Sequence, residues 1–185
     1  KMNRKMALNI IEEHMSDVNL IKHMIATGAA MRALAPFFDG DAEQWEIAGI
    51  LHDYDYAETA ADFSKHGHVS YAKLAQLNVS QEILSAIRAH PAHENFMPES
   101  SFEWALHIVD PLTGLITAAT YMHPSKKICA VDVTFIKKRF KEKRFAAGAN
   151  REQIALCETK LNMPLDEFLT VVLGGMQCVG TELGL

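Results

Sequence analysis

The sequence predicts an all-α protein, a compact single-domain helical bundle that comprises residues 1–185. Three observations support this fold class. Positions at three- and four-residue spacing form the stripe typical of a buried helix face, most clearly at Leu20, Met24, Thr27, Met31 and Leu34. No segment alternates with a period of two, and no Asn-Gly or Asp-Gly pair marks a hairpin. A chain of 185 residues without a repeat or a linker is most simply one domain.

The first long helices are delimited by capping residues. Ser16 or Asp17 can cap the helix that carries the stripe, and Pro36 lies near the end of that helix. Asp41 then begins a second helix, with Gln44 three residues later as a capping-box partner. These positions predict two consecutive helices separated by a short turn.

The middle of the chain contains two shorter helices. One is expected from about His66 to Gln76, and Ser80 caps the next. Pro91 disfavours helical geometry at the residue before it, so we expect His90 to lie at a helix end.

The longest apolar stretch, Phe102 to Tyr121, opens at Ser101 and contains Pro111. Proline removes one backbone donor and predicts a kink immediately after Asp110. The remaining helices are expected to begin at residues with capping or helix-starting character: Asp132 or Thr134, Asn150, and Pro164.

The composition is that of an ordinary globular protein, with 49% hydrophobic and 22% charged residues. No apolar run approaches the roughly 20 residues needed to cross a bilayer, and the first residues do not resemble a signal peptide. The three cysteines are odd in number and form no C-x-x-C pair, which favours buried thiols in a reducing compartment. We therefore expect a cytoplasmic protein without a membrane partner.

The net charge of −5 conceals one basic segment, from Lys126 to Arg144. A local positive field can attract a small phosphorylated molecule, while the acidic remainder disfavours stable binding of nucleic acid. The simpler interpretation of the segment is a solvated helix face. The expected substrate contacts are Lys126 and Lys127, together with Arg88 near His90.

A histidine-aspartate doublet, His52-Asp53, closes an apolar helical stretch and is the strongest functional signal. Imidazole and carboxylate together suit iron, manganese, zinc or magnesium. His23 can supply a ligand from the first long helix, and Asp110 can supply one from the proline-containing helix. Because isolated polar groups are costly in apolar surroundings, we expect these side chains to share partners. The pattern predicts a metal site assembled from several helices.

Two further histidines could hold a second metal beside the first. His66 and His90 lie near predicted helix ends. Their neighbours His68 and His93 are either replacement ligands, surface residues or supporting residues behind a ligand. Each histidine taken singly also fits a hydrogen-bonded core position. Asp55 either orients a ligand histidine or lies exposed at a helix end. One or two divalent ions are expected, of unknown identity among Fe, Mn, Zn and Mg.

The order of these residues resembles the H…HD…D pattern of the HD superfamily of metal-dependent phosphohydrolases. The resemblance covers nearly the whole chain and is closest to small stand-alone bacterial proteins of the HDIG type. The stretches that carry it are Lys22-His23-Met24, Leu51-His52-Asp53-Tyr54-Asp55-Tyr56, Lys65-His66-Gly67, Val109-Asp110-Pro111-Leu112-Thr113-Gly114 and the basic run from Lys137 to Gly148.

The resemblance implies an HD-type helical domain and a set of metal ligands. These are His23, His52, Asp53 and Asp110, joined by His66 and His90 in members that bind two metals. The sequence also departs from the pattern of signalling members, because Tyr54-Asp55 stands where they commonly have Ile-Gly and Tyr56 where they often have lysine. No Gly-Tyr-Pro signature follows. Cleavage of cyclic dinucleotides is therefore not expected.

The activity expected from this resemblance is hydrolysis of a small phosphorylated metabolite or nucleotide. A metal-activated hydroxide would attack phosphorus, with Asp53 as the catalytic residue that positions the metals. Two alternatives remain open: a di-iron oxygenase of the HD type, and a non-catalytic sensor that binds metal and nucleotide. A homo-oligomer is compatible with the sequence.

Overall fold

Twelve α-helices and three short 3-10 helices form the structure, and no β-strand is present. This computed structural model describes residues 1–185. The α-helices are α1 (Arg4–His14), α2 (Val18–Leu34), α3 (Ala42–Leu51), α4 (Tyr56–Thr59), α5 (His68–Ala75), α6 (Gln81–Ala89), α7 (Ser101–Met122), α8 (Val133–Lys141), α9 (Arg151–Ala155), α10 (Cys157–Lys160), α11 (Leu165–Cys178) and α12 (Gly180–Leu183). The 3-10 helices cover Ala35–Phe38, Phe63–Lys65 and Ile128–Ala130. The predicted all-α class is confirmed.

Most of the predicted helix starts are confirmed by side chains that accept hydrogen bonds from the first turn. These capping residues are Asp17, Asp41, Ser80, Asp132 and Asn150. The predicted capping box at Gln44 is only half formed, because Asp41 accepts from the Gln44 backbone N–H at 3.2 Å but the Gln44 side chain does not accept from the Asp41 N–H in return. Helix α5 also begins later than predicted. Gly67 has a φ of 86°, which interrupts helical geometry between His66 and α5.

Helix α7 continues through Pro111 as far as Met122, so the proline does not end the helix. A proline here cannot donate to the carbonyl of His107, four residues earlier. The side-chain amide of Gln153 donates to that carbonyl instead, with an N-to-O distance of 2.6 Å. The missing backbone bond is therefore replaced by a bond that fastens α9 to α7.

Helix α2 lies at the centre of the bundle, packed against α3, α7 and α11. It approaches α3 most closely where Gly28 faces Gly49, because a methyl group added to Gly49 would lie 2.6 Å from the Cα of Gly28. Gly28 follows His23 on α2. Gly49 lies on α3, less than one helical turn before His52, which caps the end of that helix. The small residues thus let the two backbones approach beside the predicted ligands.

The basic segment is held to the bundle by hydrogen bonds and ion pairs. Lys137 pairs with Asp166 of α11 at 3.0 Å, and Arg139 pairs with Glu142 at 2.7 Å. The guanidinium of Arg151 donates to several carbonyl groups of the loop that follows α8. Two charges of the segment are therefore paired, and the loop is held by Arg151, which lies beyond the segment.

The prediction of three buried thiols is wrong, because only Cys157 is buried, while Cys129 and Cys178 are exposed. All three are free. Burial raises the pKa of the Cys157 thiol to about 11, which makes it a poor nucleophile. None of the helices combines the length and the apolar composition that a membrane span requires.

Candidate metal centre

The six predicted ligand side chains lie together, although they come from distant parts of the chain. His23 belongs to α2 and Asp110 to α7. The others lie at or just beyond helix ends, where side chains can converge from different directions: His52 and Asp53 after α3, His66 before α5, and His90 after α6. Their ligand atoms form two groups, each within 4.8 Å: a first cluster of His23, His52, Asp53 and Asp110, and a second cluster of Asp53, His66 and His90.

In the first cluster, two imidazole nitrogens face two carboxylates. The Nε2 atom of His23 lies 2.9 Å from Oδ1 of Asp110 and 3.5 Å from Oδ2 of Asp53. The Nε2 atom of His52 lies 3.3 Å from the same Asp53 oxygen and 3.4 Å from the same Asp110 oxygen. Four ligand atoms therefore surround one point from three helices.

The second cluster uses the other oxygen of Asp53. Oδ1 of Asp53 lies 3.2 Å from Nε2 of His66 and 3.5 Å from Nε2 of His90. These two ring nitrogens are 3.1 Å apart. The carboxylate of Asp53 is buried and presents one oxygen to each cluster, which is the arrangement of a carboxylate that bridges two cations.

All four histidines have their Nδ1 atom next to an oxygen that can accept a hydrogen bond. The acceptors are Gly49 O for His52 at 2.6 Å, Ile87 O for His90 at 2.5 Å, an Asp55 carboxylate oxygen for His66 at 2.7 Å, and Thr113 Oγ1 for His23 at 3.3 Å. Carbonyl and carboxylate oxygens cannot donate, so the proton lies on Nδ1 in the neutral rings of His52, His66 and His90. The Thr113 hydroxyl donates to the carbonyl of Asp110 at 2.9 Å, which leaves its oxygen to accept from Nδ1 of His23. The Nε2 lone pairs then point into the clusters, as metal ligation requires.

The unmatched lone pairs fit a cation better than they fit each other. Nε2 of His52 is buried without a hydrogen-bond partner. The facing Nε2 atoms of His66 and His90 cannot bond to each other when both rings carry the proton on Nδ1. Ligands at about 2.1 Å from one ion lie roughly 3.0 to 3.4 Å apart, depending on its geometry. The contacts within the two clusters, from 2.9 to 3.5 Å, are close to that spacing, so each cluster fits one divalent ion.

The electrostatics of the clusters favour positive charge. Burial lowers the pKa of His23 and of His66, but the neighbouring aspartates outweigh it and raise the pKa of each to about 9. At Asp53 and Asp110, burial raises the pKa of the carboxyl group. The positive charge of His52 outweighs this effect and holds the pKa of both carboxyls well below the usual range. The carboxylates therefore stay ionised, and an entering cation must displace protons from the histidines.

Asp55 orients a ligand histidine from behind the second cluster. Its side chain is fully buried, and Oδ1 accepts the hydrogen bond from Nδ1 of His66 at 2.7 Å. Oδ2 accepts from the backbone N–H of Gly67 and of Ser70, both at 2.8 Å. Of the two interpretations open from the sequence, the structure supports the orienting role.

A cavity of about 480 Å³ opens above both clusters, and no lysine or arginine lines it. Its walls contain Asp17, Leu20, His23, Asp53, Tyr56, Phe63, His66, His90, Pro91, His107, Asp110 and Gln153. The volume suits a small molecule. The structure does not bring the three expected substrate contacts, Lys126, Lys127 and Arg88, into this cavity.

Each of these three cations is engaged elsewhere or exposed. The ammonium of Lys126 donates to the carbonyl of Tyr121 at 3.2 Å, and Lys127 is exposed. The guanidinium of Arg88 lies 3.9 Å from the ring centre of Tyr71 and 4.7 Å from that of Phe96. Proximity in sequence to a ligand did not determine the direction of these side chains.

The neighbouring histidines have supporting positions. Nε2 of His93 lies 2.8 Å from the carbonyl oxygen of His66, and His68 stacks on His93. Neither belongs to a ligand cluster. His107 donates from Nδ1 to the carbonyl of His90 at 2.7 Å and lines the cavity.

Gln153 was not singled out in the sequence, although it lines the cavity and bonds to α7. A proline inside a helix leaves one backbone carbonyl without its usual donor, so the sequence indicates that another group must donate to that carbonyl. It does not indicate which residue supplies the donor.

Comparison with known proteins agrees with this geometry. The family model described as HD domain matches residues 20–125, more than half of the chain. Comparison with curated proteins and with solved structures found no match. The matched range contains all six residues of the two clusters, from His23 to Asp110. With its helical fold and its ordered histidines and aspartates in two facing clusters, the chain belongs to the HD domain family.

Proposed function

We propose that this chain is a metal-dependent phosphohydrolase that cleaves a small phosphate ester at two divalent cations. The observation that carries the proposal is the position of Asp53, whose two carboxylate oxygens face separate clusters of ligand atoms. A pair of cations sharing one carboxylate is a recurring arrangement for phosphoryl transfer.

The residues of the two clusters would divide the work of holding the ions. His23, His52 and Asp110 would hold one ion, His66 and His90 would hold the other, and Asp53 would contact both. The bound ions would supply positive charge to the phosphoryl oxygens and lower the pKa of water. Because no basic side chain lines the cavity, the chain itself offers no cation there for a phosphate group.

The hydrolysis would join a water oxygen to phosphorus, break the ester P–O bond and leave a proton on the departing oxygen. The buried histidines would keep their Nε2 lone pairs directed inward throughout, because each Nδ1 proton is held by an oxygen. Because these ligands are already aligned, little rearrangement of the site would be needed when negative charge develops on the phosphoryl group in the transition state.

The proposal is tested by measuring metal content and hydrolysis in wild-type protein and in Asp53→Ala. Wild-type protein is expected to retain about two ions per chain and to release phosphate from members of a phosphate-ester panel. Mutation of a residue that only supports a metal ligand typically lowers metal affinity or activity by about 10- to 100-fold. Loss of the shared ligand itself should therefore lower the rate of phosphate release by more than about 100-fold. The control is Asp166→Ala, which removes a mainly exposed carboxylate on α11.

Three outcomes would contradict the proposal. A wild-type protein that retains no metal under any supplementation would exclude the metal centre. Iron with oxygen-dependent turnover and no phosphate release would select the di-iron oxygenase. Tight nucleotide binding by fully loaded protein without turnover would select the sensor.

A further inference from the structure

A second cavity, of about 500 Å³, adjoins the metal cavity. His23 lines both cavities and therefore lies between them. The second cavity is formed by α2, α7 and the C-terminal residues, and both polar and apolar side chains line it. Its walls contain Asn19, Lys22, His23, Gly114, Thr117, Ala118, Tyr121, Leu183 and Leu185.

Lys22 is the only lysine or arginine that lines either cavity. It is half-buried, and no carboxylate lies within ion-pair distance of its ammonium. Seven of the other lysines and arginines pair with a carboxylate, such as Lys73 with Glu58 and Lys137 with Asp166, and none of the remaining ones lines a cavity beside the metal clusters. An unpaired ammonium in a recess is a ready partner for an anionic group of a ligand.

We propose that this second cavity holds the leaving group of the substrate, and that Lys22 pairs with a second anionic group on it. The inference rests on the proposed function, because it takes the phosphoryl group to lie at the metal clusters. The metal cavity supplies carboxylates and no cation of the chain, so a second anion is better placed beside Lys22 than beside Asp17 or Asp110. The substrate class is thus a phosphate monoester that also carries a carboxylate or a second phosphate.

The test measures equilibrium binding of non-hydrolysable phosphonates to the metal-loaded protein. The probes are alkylphosphonates of two to five carbons, each compared with the phosphonate of equal length that ends in a carboxylate. At one length or more, we expect the carboxylated probe to bind about tenfold more tightly, as a partly desolvated charge pair allows. In Lys22→Met this ratio should fall to about one, and Lys22→Arg should restore part of it.

Two glycines provide a matched pair of variants for the cavity itself. A side chain added at Gly114, which lines the cavity, or at Gly174 on α11, which does not, meets no atom within 4 Å of its Cβ position. Gly114→Leu should therefore narrow the cavity and weaken binding of the longer probes by about tenfold. Gly174→Leu should bind them as wild-type protein does, and metal content should be equal in both variants.

The outcomes separate this inference from the proposed function. Equal affinity of both probe series at every length, no binding of any probe, or an undiminished preference in Lys22→Met would overturn the role of Lys22. If the preference depends on Lys22 but the corresponding phosphate esters are not hydrolysed, the binding assignment stands and the proposed hydrolysis fails.

Discussion

At the scale of single residues, the direction of the imidazole rings matters more than their number. Nine histidines occur in the sequence, yet four contribute Nε2 atoms to the two clusters. These four combine an Nε2 atom that faces a buried carboxylate with an oxygen held beside Nδ1, which is a helix-end carbonyl for His52 and His90. His107 also has an oxygen beside Nδ1 but belongs to neither cluster. For His66 the oxygen comes from Asp55, eleven residues earlier. Such a partner fixes the tautomer and raises the basicity of the ligand nitrogen.

This arrangement predicts a selective effect of Asp55→Asn. An asparagine has one acceptor oxygen where the carboxylate has two, so it cannot accept from both His66 and the two backbone N–H groups. We expect affinity for the ion at His66 and His90 to fall by about 10- to 100-fold, with the other ion retained. Metal titration followed by calorimetry checks this. Asp62→Asn, in the same connecting segment but exposed, is the control, and equal loss of both ions would contradict the prediction.

At the scale of elements, the site depends on how closely α2 and α3 approach. Helix α2 carries His23, and α3 ends at the His52-Asp53 doublet. Their backbones meet at Gly28 and Gly49, where the sequence shows only two small residues in separate apolar stretches. Periodicity predicted both helices because it depends on local spacing. The crossing could not be predicted in the same way, since it depends on shape matching between distant segments.

A methyl group at this crossing should destabilise the protein. In Gly49→Ala the new Cβ would lie 2.6 Å from the Cα of Gly28, and a backbone neighbour cannot give way as a flexible side chain can. We expect the free energy of unfolding of the metal-free protein to fall by about 1–3 kcal/mol or more. In Gly114→Ala the added methyl group meets no atom within 4 Å. Because alanine favours a helix more than glycine does, this variant should instead raise the free energy of unfolding by up to about 1 kcal/mol. Urea denaturation monitored by circular dichroism measures both, and a Gly49→Ala variant as stable as wild type would refute the close-packing argument.

At the scale of the whole molecule, charge is distributed unevenly between the surface and the site. The chain carries a net charge of −5, and buried carboxylates concentrate negative charge at the two clusters. The basic segment does not line the metal cavity, and part of it is paired with Asp166 and Glu142. The overall electrostatics therefore favour uptake of cations at the site, and substrate anions would be met there by the bound ions.

This balance predicts that metal binding depends on pH. The pKa of about 9 at His23 and at His66 means that both rings are protonated at pH 7 without metal, so each ion must displace a proton. Burial lowers the pKa of His52 as well, but Asp53 and Asp110 outweigh it and raise that pKa well above its ordinary value. The apparent affinity should therefore rise from pH 6 towards pH 9, by about tenfold per pH unit for each proton displaced. Calorimetry in buffers of different ionisation enthalpy counts the released protons. An affinity that does not change between pH 6 and pH 8 would be inconsistent with these raised pKa values.

The sequence by itself determined the helical class, most helix starts and the family, because each of these depends on local periodicity, capping chemistry and the order of His23, His52-Asp53 and Asp110 along the chain. Only the tertiary structure decided which oxygen stands behind each imidazole, that Asp53 faces two clusters, and that Lys22 rather than Lys126, Lys127 or Arg88 borders the adjoining cavity. The reason is physical. Hydrogen-bond partners and cavity walls come from segments far apart in sequence, and their distances are set by the packing of whole helices, which no local pattern contains.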